Sequence, residues 1–272
     1  MCVPGCREAV QATLTRRGFF NATLAAGFAA SATPLQAAAA AARAFTRVVD
    51  LTHTMSDQFP TFFGEAGIRM EKKFDFKRDG FNLYWWHLLE HAGTHLDAPI
   101  HFSEQGSTSE RISADALVVP LAVLDVENKV KQNADYLVAR EDLIAWEGKH
   151  GRLPENCCVA MHSGWAAHVN DAAKFTGKDT AGALHFPGFG IEAVEWLMKE
   201  RNAVGLAVDT LSLDHGPSKD FKVHSAWLPS DRWGLENVAN LDKVPSSGAT
   251  LVVGLAKVKG ATGGAARVLA LV

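Results

Sequence analysis

The sequence predicts one α/β domain of mixed α and β character, in which buried strands and helices alternate loosely around one sheet system. Residues 117–126, 157–162 and 203–208 are apolar runs of strand length with little alternation, which is typical of strands covered on both faces. Residues 191–201 instead repeat apolar side chains with helical spacing. A chain of 272 residues with 47% hydrophobic content can bury one full core, and strands mixed with helices indicate this fold class.

Residues 1–42 are predicted to be a signal peptide that is removed, leaving 43–272 as the folded domain. Arg16 and Arg17 lie in a Thr-Arg-Arg-Gly-Phe-Phe stretch typical of twin-arginine signals. An Ala/Gly-rich run with small-x-small sites follows it. The prediction is export to the periplasm by a route that carries folded proteins. An amphipathic surface helix or a disordered tail is the alternative.

Charge and cysteine content exclude some classes of partner. The formal net charge of −3, without a run of basic residues, argues against nucleic-acid binding. No stretch is typical of a permanent membrane span after signal removal. Beyond the signal, the cysteines are the adjacent pair Cys157 and Cys158. Adjacent cysteines rarely close a relaxed disulfide, so both are predicted to be small buried residues of a strand.

Three elements precede the most polar motif of the chain. Residues 47–52 are predicted as an opening strand. Residues 58–67 are rich in aromatic and turn-forming residues, which favours a loop that packs on the core edge or lines a pocket for a planar ligand. Residues 81–90, with two adjacent tryptophans, are predicted as a strand that leads into the motif.

The elements after the motif continue the alternation of strands, helices and polar loops. The run 157–162 is followed by Ser163, Gly164 and Trp165 at its carboxyl end, where ligands bind in open α/β sheets. The other predicted elements are a polar loop at 103–109, a short helical or irregular connection at 112–117, a helix at 140–146, a loop at 211–220, and closing strands at 250–255 and 266–272.

The motif is His-Ala-Gly-Thr-His-Leu-Asp-Ala-Pro-Ile-His, residues 91–101. A uniform strand would separate His91 from Asp97 by roughly 20 Å, at about 3.3 Å per residue. Both residues can reach one ion only if the chain bends, and Gly93 is the residue best able to allow that. Pro99 disfavours a continuing helix. A strand that runs into a tight turn is therefore expected.

The spacing His-x3-His-x-Asp-x3-His favours a metal site. Imidazole and carboxylate groups at close spacing are what Zn or Mn sites use. The alternatives are a set of buried, hydrogen-bonded histidines without metal, and a structural metal site. The second is disfavoured because structural zinc sites are usually rich in cysteine, and this motif contains none.

Residues 91–101 resemble the His-x-Gly-Thr-His-x-Asp-x-Pro-x-His signature of the cyclase family, which includes bacterial kynurenine formamidase and isatin hydrolase. Other blocks that resemble the family are Asp50 to His53, Ser163 to Trp165, Pro187-Gly188 through Val204-Gly205, Asp209-Thr210, and Glu236 to Leu241. The resemblance covers nearly the whole predicted domain. It implies a swivelling β/β/α fold, usually assembled as a homodimer.

The resemblance also implies a site. By it, His91, His95 and Asp97 bind one divalent ion, Zn or Mn, and His101 is the proton donor and acceptor. A second ion would share Asp97 and add His224 and Glu236, which stand at the family's twelve-residue spacing. Such ions lower the pKa of bound water and polarise a carbonyl, and a nearby imidazole can carry the proton.

The implied activity is metal-dependent hydrolysis of a carbon–nitrogen bond in a small aromatic, linear or cyclic amide, of the arylformamidase type. Phe62 and Trp85 are the candidate substrate-binding aromatics. Phe62-Phe63-Gly64-Glu65 stands where kynurenine formamidase has Trp-Pro-Gly-Asp. Export also departs from a role in tryptophan breakdown, which is expected in the cytoplasm. Hydrolysis of a cyclic amide or lactone of the isatin type remains open, as does a non-catalytic periplasmic binding protein.

Overall fold

The computed structural model describes residues 45–272, and one eight-stranded sheet dominates them. The signal peptide predicted at 1–42, and its boundary with the domain, lie outside the described residues. The strands are β1 Val48–Asp50, β2 Ile68–Phe74, β3 Leu83–Leu88, β4 His95–Asp97, β5 Val118–Asp125, β6 Leu137–Val138, β7 Cys158–His162, β8 Gly188–Phe189, β9 Gly205–Val208, β10 Trp233–Glu236, β11 Ala249–Leu255 and β12 Gly263–Leu271.

The large sheet closes into a barrel through the three-residue strand β4. Its order is β1-β12-β11-β5-β7-β9-β10-β4, and β4 pairs in addition with β12. The two antiparallel pairings place His95 opposite Glu236 of β10 on one side and opposite Ala265 of β12 on the other. A three-residue strand is thus the seam between the two ends of the sheet.

The strands at the centre of the sheet are parallel and buried on both faces. β5, β7 and β9 pair in parallel. They coincide with the three apolar runs that predicted strands covered on both faces. Along β7, Val159 and Met161 face the helical layer, while Ala160 faces the barrel interior. Successive side chains of a strand point to opposite faces, so both faces must be apolar when both are covered. The predicted mixed α/β class is confirmed.

The α-helices of the described residues are α1 Phe76–Asp79, α2 Glu127–Val130, α3 Arg140–His150, α4 Ala172–Thr176, α5 Ile191–Trp196 and α6 Lys222–Trp227. Helices α2 to α6 contribute buried residues to the layer that covers the outer face of the parallel strands, whereas α1 connects β2 to β3 and buries no residue. A π-helix, Leu197–Arg201, continues α5, so helical structure covers 191–201 as predicted. The 3₁₀ helices are Pro99–Phe102, Ser109–Arg111, Ala114–Leu117, Trp165–His168, Leu228–Ser230 and Leu241–Lys243. In the described part of the chain, no helix is both long enough and apolar enough to cross a bilayer.

A separate hairpin of β2 and β3 stands outside the barrel. The sequence predicted β3 but placed it as a strand leading directly into the motif, and it did not predict β2. Nearly all side chains of the hairpin are exposed, both the charged ones and the large apolar ones. Its large exposed hydrophobic residues are Met70, Phe74, Phe76, Phe81, Leu83, Tyr84, Trp85, Trp86 and Leu88.

The motif bends as predicted. Gly93 has φ +66°, a left-handed conformation that glycine adopts without strain. A Cβ on Gly93 would also lie 2.5 Å from Met55 Sδ, which leaves no space for a side chain. Beyond β4, Pro99 occupies the first turn of a 3₁₀ helix, where its missing N–H costs nothing. The bend brings His91 Nδ1 to 2.6 Å from Asp97 Oδ1.

Candidate metal centre

Three separate parts of the chain meet at the barrel seam. His91 lies in the turn after β3, and the following strand β4 carries His95 and Asp97. The register of β4 with β10 places Glu236 beside His95. His101 lies in the 3₁₀ helix Pro99–Phe102, and the buried His224 lies in α6. The six side chains that meet are His91, His95, Asp97, His101, His224 and Glu236.

The nitrogen and oxygen atoms of this group converge. His95 Nε2 is 3.3 Å from both Asp97 Oδ1 and Glu236 Oε2. His224 Nε2 lies 3.1 Å from Glu236 Oε1 and 3.6 Å from Asp97 Oδ2. Two sets of three have ligand atoms within 4.8 Å of one another: His91, Asp97 and His101, and His95, Asp97 and Glu236. Asp97 belongs to both sets and is therefore the shared residue of the centre.

Buried polar atoms in the centre lack partners. Within the described residues, His95 Nε2 and Asp97 Oδ2 are inaccessible to solvent and have no hydrogen bond. Leaving a buried polar atom unsatisfied costs roughly 1–3 kcal/mol, and native proteins rarely tolerate it without a reason. A divalent ion would satisfy both atoms. Imidazole nitrogens and carboxylate oxygens are also the ligands that Zn and Mn accept, so the residues fit the metal that the sequence predicted.

Hydrogen bonds set which ring nitrogen each buried histidine presents. His95 Nδ1 lies 2.8 Å from the carbonyl oxygen of Gly93, which can only accept, so Nδ1 donates and Nε2 is left to bind either a proton or a metal ion. His224 Nδ1 lies 2.6 Å from Asp214 Oδ2 and donates in the same way. Metal-binding histidines commonly donate their other ring N–H to a carbonyl or carboxylate. Both rings therefore direct Nε2 toward the carboxylates.

The carboxylates give the centre a strong preference for positive charge. Burial by itself lowers the pKa of His95, but the charges of Asp97 and Glu236 raise it to about 10. Burial raises the pKa of Asp97, yet His95 and the neighbouring histidines hold it well below its usual value. A proton on the imidazoles thus neutralises the carboxylates when no metal is bound. An ion would take the place of that proton, because ligands must be deprotonated to bind.

His101 has the opposite electrostatic character. Burial, together with the neighbouring rings of His91 and His224, lowers the pKa of His101 to about 4, although Asp97 opposes this. Its ring stacks on His91, with 3.7 Å between the ring centroids. His101 is therefore neutral at pH 7 and able to accept a proton beside the centre.

An apolar cavity of about 280 Å³ opens onto the centre. Phe102 and Phe221 pack near His224, and Phe62 packs against Phe221 with ring centroids 5.9 Å apart. Along the described chain, no lysine or arginine lines the cavity. The apolar side chains of its wall are Pro60, Phe62, Phe63, Leu89, Ala92, Phe102, Leu211 and Phe221. Such a wall suits a flat, uncharged ligand.

The structure brings together all but one of the predicted site residues. The five predicted ligands and His101 meet at the seam, and Phe62 lies in the cavity wall. Trp85 does not lie in this cavity wall, and its substrate-binding role stays a prediction. It is 58% exposed on β3, paired with Glu71 across the hairpin. The cause is that β3 leaves the barrel to pair with β2, and the chain returns to the cavity only at Leu89.

Several residues at the site were missed by sequence reasoning. Phe102 directly follows the last motif histidine, and that adjacency was the available signal. Phe221 is a bulky residue with φ +45°, a conformation that no sequence pattern announces. Asp214 accepts from His224 Nδ1 and from the backbone N–H groups of Val223 and His224. Its position ten residues before His224, in a polar loop, carried no recognisable spacing.

Asp214→Asn is expected to weaken metal binding by about 10- to 100-fold, the usual cost of losing the residue that orients a ligand. The amide cannot supply the two charged acceptor oxygens that hold His224 and the start of α6. Titration of metal-free protein with Zn or Mn measures the effect. Asp220→Asn, on the exposed part of the same loop, is the control. Unchanged affinity in Asp214→Asn would show that His224 needs no such support.

Comparisons with known proteins agree with this architecture. The Cyclase family model matches residues 49–215. Isatin hydrolase from Roseibium aggregatum is 30% identical over 83% of this chain and 91% of that protein. Kynurenine formamidase from Paracidovorax citrulli is 26% identical over 60% of this chain and 67% of that protein. The structure of isatin hydrolase A from Ralstonia solanacearum superimposes with a TM-score of 0.78 at 35% identity, over 83% of this chain and 92% of that one.

Proposed function

We propose, from the premise that this chain belongs to the cyclase family of hydrolases, that it is a divalent-metal-dependent amidohydrolase. Its substrate would be a small aromatic amide, linear as in an arylformamide or cyclic. One observation carries the proposal: a buried group of histidines and carboxylates with orphaned atoms opens onto an apolar cavity that also contains a neutral histidine. Zn and Mn are the metals proposed, with one or two ions sharing Asp97.

The proposed reaction adds water across the carbon–nitrogen bond. A carbon–oxygen bond forms and the carbon–nitrogen bond breaks, which gives a carboxylate and an amine. These are separate products from a linear amide and parts of one ring-opened product from a cyclic amide. The metal, when bound, would supply Lewis acidity to the carbonyl and lower the pKa of a water molecule. His101 takes the proton of that water and returns it to the leaving nitrogen, which a neutral imidazole can do at pH 7. The phenylalanine wall holds the aromatic ring and excludes bulk water.

The chemistry of the cavity favours an uncharged substrate. N-formylkynurenine carries an ammonium and a carboxylate group, and the cavity offers that carboxylate no lysine or arginine within the described residues. A cyclic amide such as isatin is neutral and planar. A cyclic amide or lactone hydrolase of the isatin type is therefore the second candidate, and this observation favours it over a formamidase that acts on an amino acid.

The experiment is a hydrolysis screen with purified protein in metal-free, Zn-loaded and Mn-loaded forms. The substrates are isatin, an aryl formamide without an amino-acid group, N-formylkynurenine, simple lactams and simple lactones. Metal-dependent turnover of an aromatic amide supports the proposal, and preference for isatin supports its cyclic form. A metal-loaded protein that hydrolyses none of these, yet binds them, would replace the proposal with a non-catalytic binding protein.

We also propose export to the periplasm by the twin-arginine route. Its support is Arg16 and Arg17 followed by an Ala/Gly-rich segment. In a bacterial host with this route, the double variant Arg16→Lys with Arg17→Lys is expected to stay in the cytoplasm. Fractionation and mass spectrometry of the mature amino terminus measure this. Equal periplasmic amounts of the two forms would contradict the proposal.

A homodimer that uses the β2–β3 hairpin is proposed in addition. Trp85 and Trp86 are 58% and 66% exposed, and patches of this kind usually mark interaction sites. The hairpin also carries charges of both signs, including Lys72 and Asp75, which suits a surface that must complement its own copy across a two-fold axis.

Replacing Trp85 and Trp86 together with serine is expected to convert the dimer to a monomer, because each tryptophan contributes a large apolar area to the contact. Sedimentation velocity measures the mass. Val258→Ser, which changes an exposed apolar residue outside the hairpin, is the control. A monomeric wild type, or a double variant that stays dimeric, would contradict this interface.

A further inference from the structure

The three predicted metal-binding imidazoles of the centre are not held alike. His95 and His224 donate through Nδ1, as described above. His91 is held from its other side: His91 Nε2 lies 2.8 Å from Thr262 Oγ1. Thr262 Oγ1 lies in turn 2.6 Å from Glu90 Oε2, an oxygen that is also 3.3 Å from the backbone nitrogen of Thr262. A chain of hydrogen bonds therefore runs from Glu90 through Thr262 to the ring of His91.

The direction of each hydrogen bond follows from the chemistry of its end. An ionised carboxylate only accepts, so the hydroxyl of Thr262 donates its single proton to Glu90. The remaining lone pairs of that hydroxyl accept, and His91 Nε2 must be the donor. A neutral His91 ring then has its lone pair on Nδ1. That atom faces Asp97 Oδ1 at 2.6 Å, and two facing lone pairs at this distance require a positive charge beside them.

We propose that Glu90 and Thr262 are positioning residues that fix His91 with Nδ1 toward the metal centre. This rests on the proposed metal site and deepens it, because it makes His91 an Nδ1 ligand, whereas His95 and His224 present Nε2. Close packing supports the same orientation. A Cβ on Gly263 would come within 2.6 Å of His91 Cε1 and 3.2 Å of Nδ1, so the backbone after Thr262 lies against the ring.

The same contacts reach the proton-transfer residue. His101 stacks on His91 at 3.7 Å with 19° between the ring planes, so a His91 ring that turns removes the surface on which His101 lies. Glu90 immediately precedes the motif, whereas Thr262 lies in the connection between β11 and β12. The pair therefore ties the start of the motif to the start of the strand that closes the barrel.

The test measures metal affinity of metal-free protein by competition with a chromophoric chelator, using Zn and Mn alone. Thr262→Val keeps the shape of threonine and removes the hydroxyl, and Glu90→Gln keeps the size and removes the charge. Each is expected to weaken binding by about 10- to 100-fold. Thr262→Ser keeps the hydroxyl and is expected to stay within about 3-fold of wild type, well below that loss.

A matched control lies in the same connection. Glu110 Oε2 accepts from the backbone nitrogen of Gly260 at 3.1 Å, two residues before Thr262. Glu110→Gln therefore perturbs the connection without entering the hydrogen-bond chain to His91. It is expected to leave metal affinity unchanged. An equal loss in Glu110→Gln would overturn the proposal, since the effect would then come from the order of the connection.

A second readout needs no turnover. Long-range nitrogen–proton NMR spectra of Zn-loaded protein report which nitrogen of His91 is protonated. Wild type and Thr262→Ser are expected to hold the Nε2 proton, and Thr262→Val and Glu90→Gln to lose that preference. Unchanged metal affinity and ring state in both of the latter variants would overturn the proposal. Because no substrate is used, this failure is distinct from a failure of the proposed hydrolase activity.

Discussion

Replacing His95 with alanine is expected to remove bound metal and, with it, measurable turnover. His95 Nε2 lies 3.3 Å from both Asp97 Oδ1 and Glu236 Oε2, and its side chain is buried between them. Loss of a ligand should weaken metal binding by more than about 100-fold, which is the upper end of the loss expected for a residue that only orients a ligand. The variant also removes the imidazole that both buried carboxylates share, and breaking a buried pair costs about 3–5 kcal/mol.

Elemental analysis, metal titration and thermal unfolding measure these effects together. His87→Ala, which removes a half-exposed histidine of the hairpin, is the control and should leave metal content unchanged. His95→Gln keeps a polar group of similar size and guards against simple unfolding. Turnover that survives in metal-free His95→Ala protein would exclude the proposed metal-dependent chemistry.

The second large effect is expected for His101→Ala, which should keep its metal and lose about 100- to 10,000-fold in kcat, the usual contribution of a general base. His101 lies outside the innermost carboxylate pair but stacks on His91 and lines the cavity. Metal content near wild type with a collapsed kcat and a modest change in KM is the expected result. A variant that hydrolyses substrate at the wild-type rate would remove His101 from the mechanism.

The pH dependence of folding stability should reflect the lowered pKa of His101. Burial and the neighbouring histidines lower its pKa to about 4, so the ring is unprotonated from neutral pH down to that value. A cation near the ring would also lower the pKa of His101. The unfolded chain binds this proton at the ordinary histidine value, so this residue's contribution to stability is lost as pH falls from about 6.5 to about 4. Stability measured across this window should fall less in His101→Ala than in wild type.

Local sequence patterns predicted the buried strands and the bend of the motif, because local sequence decides both features. Continuous apolar runs predicted the parallel strands, since only strands covered on both faces need them. The distance argument predicted the bend at Gly93 without knowledge of the fold. The exception was Trp85, whose position depends on whether β3 joins the barrel or pairs with β2, and alternation alone does not distinguish these partners.

Other features depend on contacts between distant parts of the chain. Asp214 and Thr262 act through one hydrogen bond each to a histidine ring, and neither stands at a spacing that indicates a role. Glu236 was predicted only because of family resemblance. In the structure its place follows from the register of β10 against β4, which depends on pairing across more than half of the chain.

The seam at β4 has a consequence for the order of events during biosynthesis. β4 pairs with Trp233–Glu236 and with the start of Gly263–Leu271, so its neighbours on both sides are made long after it. A chain that is still growing on the ribosome can display the motif histidines but cannot assemble the centre. Ion capture thus belongs to the finished chain. A translocation route that accepts only folded cargo would carry this protein with its ion already chosen from the cytoplasmic metal pool.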